Sequence, residues 1–192
     1  CVFGGNGTAE AAATTPVAKH GRLSVKGADL VDSKGNKFQL RGISTHGINW
    51  DVGSPYVNKK AFKTLRDDWG VNAIRLAMYT EEYNGYCSGG SQAKLRKLVD
   101  KGVGYATDLG MYAIIDWHIL SDGNPNKNKS QAKKFFTTMA KKYKNNKNVM
   151  WLERDQILCD RHYQNDPQIR QESSYYRGNT NLVTAWNGWN VK

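Results

Sequence analysis

The 192-residue chain has no apolar run that approaches the roughly 20 residues needed to span a bilayer. It has only three cysteines, Cys1, Cys87 and Cys159, which offer neither a metal-ligand spacing nor an even disulfide framework. No recognisable nucleic-acid-binding motif occurs in it. These absences argue against a membrane-spanning protein, a disulfide scaffold and a zinc module, and they favour an ordinary globular protein.

Charge of one sign is in excess: 28 Lys and Arg against 17 Asp and Glu give a net charge of +11. Clustered cations are typical of nucleic-acid binders, which keeps that class as a weak alternative. Much of the excess lies on and around one predicted amphipathic helix, at Lys127, Lys129, Lys133, Lys134, Lys141, Lys142, Lys144 and Lys147. A solvated outer helix face explains this pattern better, so we expect no nucleic-acid partner.

The first 20 residues are small and polar, which predicts a flexible linker. Cys1, followed by Gly, Ala and Thr, permits two interpretations: the lipid-bearing residue of a processed bacterial lipoprotein, or an arbitrary boundary. We expect a protein that is secreted or held at the bacterial cell surface.

From residue 21 to 150 the chain alternates between strand-like and helix-like segments. A turn-rich stretch at 32–36, between apolar runs Leu23–Val31 and Phe38–Leu40, predicts a β-hairpin. The further predicted strands are Gly42–Ser44, Ala73–Ala77, Tyr112–Asp116 and one that begins at Asn148. The predicted helices are Lys59–Trp69, Gln92–Leu109 and Ser130–Tyr143, the first with Trp69 on its buried face. Such alternation predicts an α/β fold with a parallel sheet and helices outside.

Two of these strands end abruptly in polar and aromatic residues. Residues 72–80 and 111–118 are short apolar, β-prone runs. Arg75 and Tyr79 belong to the first run, and His118 ends the second. A buried parallel strand reaches solvent at its carboxyl tip, where α/β folds hold ligands. The sequence therefore predicts a functional site at these tips.

Four motifs carry a specific resemblance: residues 44–50 (STHGINW), 74–79 (IRLAMY), 106–112 (ATDLGMY) and 114–122 (IIDWHILSD). In order and spacing, from about residue 17 to 150, they resemble glycoside hydrolase family 5, in particular its bacterial endo-β-1,4-glucanase (cellulase) branch. The resemblance implies a (β/α)8 TIM barrel that cleaves β-1,4-glucan with retention of configuration. It implies no metal and no cofactor.

The resemblance also implies roles for single residues. Arg75 matches an arginine beside the nucleophile, where a fixed positive charge lowers the pKa of a carboxylate. His118 matches a supporting histidine of the catalytic site, and His46 and Tyr79 match residues of the substrate cleft. Trp50 matches a stacking platform for a glucose ring.

Three other aromatic residues are less certain members of such a cleft. Trp117 is expected to pack in the core, because it points opposite to its strand neighbours. Tyr83 and Tyr86 either line the cleft or cover a loop, and the sequence leaves both possibilities open.

The family pattern breaks after Met150. A retaining glycosidase needs two carboxyl groups about 5–5.5 Å apart, one acid/base and one nucleophile. The family places the acid/base in a Glu-x-x-Asn-Glu-Pro signature, but no Asn-Glu pair occurs in these residues. Glu153 and Glu172 are the only glutamates after Met150, and neither has a matching context. We therefore expect the N-terminal half of a barrel, truncated after the fourth strand, with little or no hydrolytic activity.

The segment 151–192 has a composition unlike the rest of the chain. Read one nucleotide later with suitable codons, it can encode strings that resemble the helix and fifth strand of the family, which predicts an out-of-frame tail. A non-catalytic carbohydrate-binding fragment is the main alternative function. Open barrel edges also predict self-association.

Overall fold

The computed structural model describes residues 14–123 and 125–152. The predictions made for residues 1–13 of the linker and 153–192 of the tail lie outside the described residues. No helix in the described ranges is long and apolar enough to cross a membrane.

A four-stranded parallel sheet forms the centre of the described residues, and its strands lie side by side in chain order. Its strands are β3 (Gly42–Ser44), β4 (Ala73–Tyr79), β5 (Tyr112–His118) and β6 (Val149–Leu152). The intervening helices are α2 (Lys59–Asp67), α3 (Gln92–Asp108) and α4 (Lys129–Tyr143). Sequential parallel strands joined through helices are the arrangement of half an eight-stranded α/β barrel, as predicted.

Strand alternation divides the buried side chains into two clusters, because successive residues point to opposite faces of a sheet. The larger cluster lies between sheet and helices and includes Ile74, Leu76, Met78, Ala113, Ile115, Trp117, Phe62, Val99 and Phe135. The smaller cluster includes the alternate strand residues Ala73, Tyr112, Ile114 and Met150, together with Val17 and Leu23. The face opposite the helices is thus apolar at the amino ends of the strands.

Local sequence signals explain where the helices begin and end. The side chains of Asn58 and Ser91 accept backbone N–H groups at the first turns of α2 and α3. Gly110 follows α3 with a φ of 64°, a conformation that glycine adopts without strain. Helix α2 ends at Asp67, earlier than predicted, so Trp69 lies beyond it and is 70% exposed. The prediction that Trp69 belongs to the buried face is therefore wrong.

The N-terminal segment differs from its prediction in two respects. Residues 16–20, expected within a flexible linker, form helix α1 (Pro16–His20), whose Val17 is buried. A hairpin is present, but it joins β1 (Ser24–Lys26) to β2 (Asp29–Val31), so the segment predicted as one strand contains the turn. The predicted turn at 32–36 does not join two paired strands. Its flanks are connected by one isolated bridge, between Val31 and Lys37.

Strand β6 continues past Met150. Trp151 and Leu152 are in register with Ile115 and Asp116 of β5. The first two residues of the segment predicted as aberrant thus belong to the fourth strand of the sheet.

Candidate active site

Three charged or ionisable side chains meet at the carboxyl ends of β4 and β5. The Arg75 guanidinium donates to Asp116 Oδ2 at 2.8 Å, and the same Arg75 nitrogen lies 2.8 Å from His118 Nδ1. His118 Nδ1 is also 3.1 Å from Asp116 Oδ2. The Asp116 side chain has no exposed surface, whereas those of Arg75 and His118 are 19% and 16% exposed. A buried anion thus fixes a cation and an imidazole that both reach solvent.

The proton on His118 decides which bond closes this triangle. A neutral ring with its proton on Nε2 accepts from Arg75 through Nδ1, whereas a ring protonated on Nδ1 donates to Asp116. In both arrangements Nδ1 is engaged with its neighbours. Arg75 holds the imidazole in the first arrangement and Asp116 holds it in the second.

An arc of aromatic rings leads from this triangle. The Tyr79 and His118 rings meet edge to face with centroids 4.3 Å apart. Trp50 stacks on Tyr79 at 4.7 Å with an interplanar angle of 24°, and His46 lies 4.9 Å from Trp50. His46 is exposed and Trp50 and Tyr79 are half-buried, so the arc presents ring surface to solvent. Flat, partly exposed rings are suited to stacking on the apolar faces of a ligand.

The loop after β3 is held tightly against β4. Backbone N–H groups of Thr45 and Ile48 donate to the carbonyls of Arg75 and Ala77, which continues the ladder beyond the strand. The buried Asn49 accepts the Tyr79 N–H at 3.2 Å and donates to the Tyr83 carbonyl at 2.7 Å. These bonds hold the backbone that carries Trp50.

Gly47 permits the close approach of the two stacked rings. A Cβ at this position would lie 2.9 Å from ring atoms of both Trp50 and Tyr79. Any side chain there would displace them, so the glycine is required by the aromatic arc.

The structure brings all five predicted site residues, Arg75, His118, His46, Trp50 and Tyr79, into one continuous cluster. Asp116 was missed as a member of the site. Its signal was present in the sequence, because a carboxylate two residues before His118 on a strand shares the face of that residue.

The other three aromatic residues differ in burial. Tyr86 is buried against Trp117 and Phe135, and Trp117 is buried as predicted, so both belong to the core. The Tyr83 side chain is 72% exposed and is not part of the core.

Neither a metal centre nor a thiol nucleophile is formed by residues 14–123 and 125–152. No group of three or more His, Cys, Asp or Glu side chains in these ranges is placed to hold a metal ion. Burial, with the charges of Glu81 and Asp122, raises the pKa of Cys87 to about 12, so this thiol stays protonated near neutral pH. The site instead offers a fixed cation, an oriented imidazole and stacking surface, which suit a polyhydroxylated ligand.

Comparison with known proteins identifies the class. Residues 31–153 match the family model for cellulase (glycosyl hydrolase family 5). The chain belongs to glycosyl hydrolase family 5.

Its relatives are endoglucanases and cellulases. It is 51% identical over 134 residues to endoglucanase A of Butyrivibrio fibrisolvens, which covers 69% of this chain and 31% of that protein. The structure of cellulase Cel5C_n matches with a TM-score of 0.68 and 35% identity, covering 71% of this chain and 43% of that one. A cellotetraose complex of the Thermobifida fusca endoglucanase Cel5A catalytic domain matches with a TM-score of 0.60 and 36% identity, with the same coverage of both chains. The chain thus spans about a third of the length of the curated relatives it matches.

Proposed function

We propose that this chain supplies the N-terminal half of the substrate cleft of an endo-β-1,4-glucanase. In this role Arg75 and His118 orient and polarise the reacting groups, and Trp50, Tyr79 and His46 bind the sugar chain. The observation that carries the proposal is the single cluster of these five side chains at the carboxyl ends of the strands. That end of an α/β barrel is where active sites are built.

The proposed ligand is a β-glucan chain. The solved relative from Thermobifida fusca holds cellotetraose. The stacked Trp50 and Tyr79 rings offer a flat surface of the kind that pyranose rings use. A net charge of +11 leaves nucleic acid as the competing ligand.

Isothermal titration of the purified chain with cellotetraose, and separately with duplex DNA, at two salt concentrations tests this proposal. We expect cellotetraose binding that hardly changes with salt, because the ligand is neutral. DNA binding would weaken steeply with salt, since it releases counterions. Binding of DNA alone would contradict the proposal.

A binding fragment without turnover is the second candidate, and a specific observation favours it for the 192-residue polypeptide itself. These residues contain no Asn-Glu pair, and the described cluster contains no glutamate. Arg75 and His118 can orient an acid and a nucleophile but cannot replace them.

The 192-residue polypeptide is therefore expected to release no reducing sugar from carboxymethylcellulose. The measurement needs protein of verified mass, with a full-length family member as positive control. Activity that disappears in Arg75→Ala would show that the polypeptide completes the reaction by itself.

The same substrate bears on where the protein acts. A glucan polymer is too large to enter a cell, so we propose a secreted or surface-bound location. Fractionation of the producing cells tests this, and recovery of the protein only in the cytoplasm would contradict it.

A further inference from the structure

Two loops at the carboxyl end of the sheet are joined by a set of polar contacts outside the ligand-facing cluster. Three consecutive residues after Tyr79 each contact the loop that follows β5. This loop staple consists of Thr80, Glu81 and Glu82 on one side and Ser121, Asp122 and Asn128 on the other. It lies directly beyond the Tyr79–His118 pair, which is the last in the register of β4 with β5.

Thr80 is the central residue of the staple. Its backbone N–H donates to the His118 carbonyl at 3.1 Å, which extends the ladder by one step. Its fully buried hydroxyl donates to the Asp122 carboxylate at 2.7 Å and also lies 3.2 Å from the His118 carbonyl oxygen. Thr80 thus joins Asp122 to the backbone of His118.

The Asp122 carboxylate is buried and is held by neutral donors. Besides Thr80, it accepts from the Asn128 side-chain amide at 3.0 Å. A buried carboxylate is tolerated only while hydrogen bonds replace its lost hydration. Loss of the Thr80 hydroxyl would therefore force Asp122, and the loop that carries it, to move.

The remaining contacts hold the two loops in fixed positions relative to each other. The Asn128 side-chain amide nitrogen also donates to Glu81 Oε1 at 2.6 Å, and Lys127 donates to the same carboxylate at 3.0 Å. These two partners lower the pKa of Glu81. Glu82 accepts both the backbone N–H and the hydroxyl of Ser121, at 3.0 Å and 2.6 Å.

We propose that Asp122 is a positioning residue for the site, acting through Thr80 to hold the His118 backbone, and with it the imidazole, against Tyr79 and Arg75. The expected effect on ligand binding rests on the proposed glucan-binding role of the cluster. The positioning of His118 does not rest on that role, and the test measures binding and positioning separately.

The test compares Thr80→Val, which removes the hydroxyl at nearly constant volume, with Thr80→Ser, which keeps it. Thr138→Val makes the same change on the exposed side of α4, where the hydroxyl donates to the Lys134 carbonyl. Two readouts are taken on the 192-residue chain: the cellotetraose dissociation constant, and the His118 ring signals in proton–carbon NMR spectra, assigned with His118→Gln.

We expect Thr80→Val to shift the His118 ring signals and to weaken cellotetraose binding about tenfold. Thr80→Ser and Thr138→Val should keep both within about twofold of the parent chain. A folded Thr80→Val with unchanged His118 signals would overturn the proposal.

Two further outcomes are also decisive. If the parent chain binds no cellotetraose, the proposed function fails, but the NMR comparison still decides the positioning. If Thr80→Val does not fold, Asp122→Asn takes its place with the same expected shifts. Failure of both to fold, while Thr80→Ser folds, would show a role in stability rather than positioning and would overturn the proposal.

Discussion

At the scale of single residues, the Arg75–Asp116 pair is the least replaceable contact of the site. Asp116 has no exposed surface, so its charge depends on the guanidinium and imidazole groups beside it. Removal of one partner weakens the compensation of the other charge, which is among the costlier changes in a protein interior.

Asp116→Asn is therefore expected to lower the free energy of unfolding by about 3 kcal/mol, the lower end for a broken buried pair, because Arg75 still reaches solvent. Urea denaturation followed by circular dichroism measures this. Asp29→Asn is the matched control, since Asp29 pairs with exposed Lys37 and should cost less than about 1 kcal/mol. Equal losses in the two variants would contradict the assigned importance of the buried pair.

Trp50 is the residue expected to contribute most to sugar binding. Trp50→Ala should weaken cellotetraose binding about tenfold, because it removes one face of the stacked pair. Trp69→Ala removes an equally large and more exposed ring that follows α2, near the amino end of β4, and should leave the affinity unchanged. Calorimetric titration of both variants provides the comparison, and similar losses would place the ligand elsewhere.

At the scale of elements, helix α1 and the hairpin cover the amino end of the face opposite the helices. Val17 and Leu23 pack with Tyr112, Ile114 and Met150 in this smaller cluster. His20 Nδ1 lies 3.1 Å from Asp32 Oδ2, so a side-chain hydrogen bond joins α1 to the segment after β2.

The pH dependence of stability should report this contact. The His20 side chain, with the backbone N–H groups of Asn36 and Lys34, lowers the pKa of Asp32 to about 2. A carboxyl group with a lowered folded-state pKa stabilises the protein above its unfolded pKa of about 4 and loses that contribution as the pH falls towards 2. The melting temperature of the parent chain should thus fall more steeply over this range than that of Asp32→Asn.

Asp29→Asn is the control for this comparison, because Asp29 pairs with an exposed lysine, Lys37. It should follow the parent curve in thermal melts taken between pH 4 and 2. A parallel decline in the parent and Asp32→Asn would show that the hydrogen bonds of the Asp32 carboxylate do not contribute.

At the scale of the whole molecule, each of the two outer strands of the described sheet is paired on one side only. β3 bonds to β4 alone and β6 to β5 alone. Open strand edges favour pairing with another chain.

We expect the 192-residue polypeptide to self-associate, with a sedimentation-derived mass that rises with concentration. Thr45 donates its N–H to Arg75, so the neighbouring Ser44 N–H points away from β4. Ser44→Pro removes that donor and should reduce association, whereas Ser44→Thr should not. A monomer at all concentrations would contradict this prediction.

The sequence alone determined the class of the molecule and the members of its aromatic cluster. Apolar runs such as 111–118 are recognisable from their residues alone, and a buried parallel strand reaches solvent only at its tips. Local patterns therefore sufficed to predict the four-strand alternation, the buried Trp117 and the site positions Arg75 and His118.

Only the tertiary structure decided what these residues contact. Periodicity assigns a side chain to a face, but the pairing of Arg75 with Asp116 depends on the register of two strands far apart in sequence. The same limit explains Trp69 and the hairpin turn, since a helix end and a turn depend on what packs beside them. The loop staple between Thr80 and Asp122 could not be predicted for this reason: loops carry no periodicity, so their contacts exist only after the strands have brought their ends together.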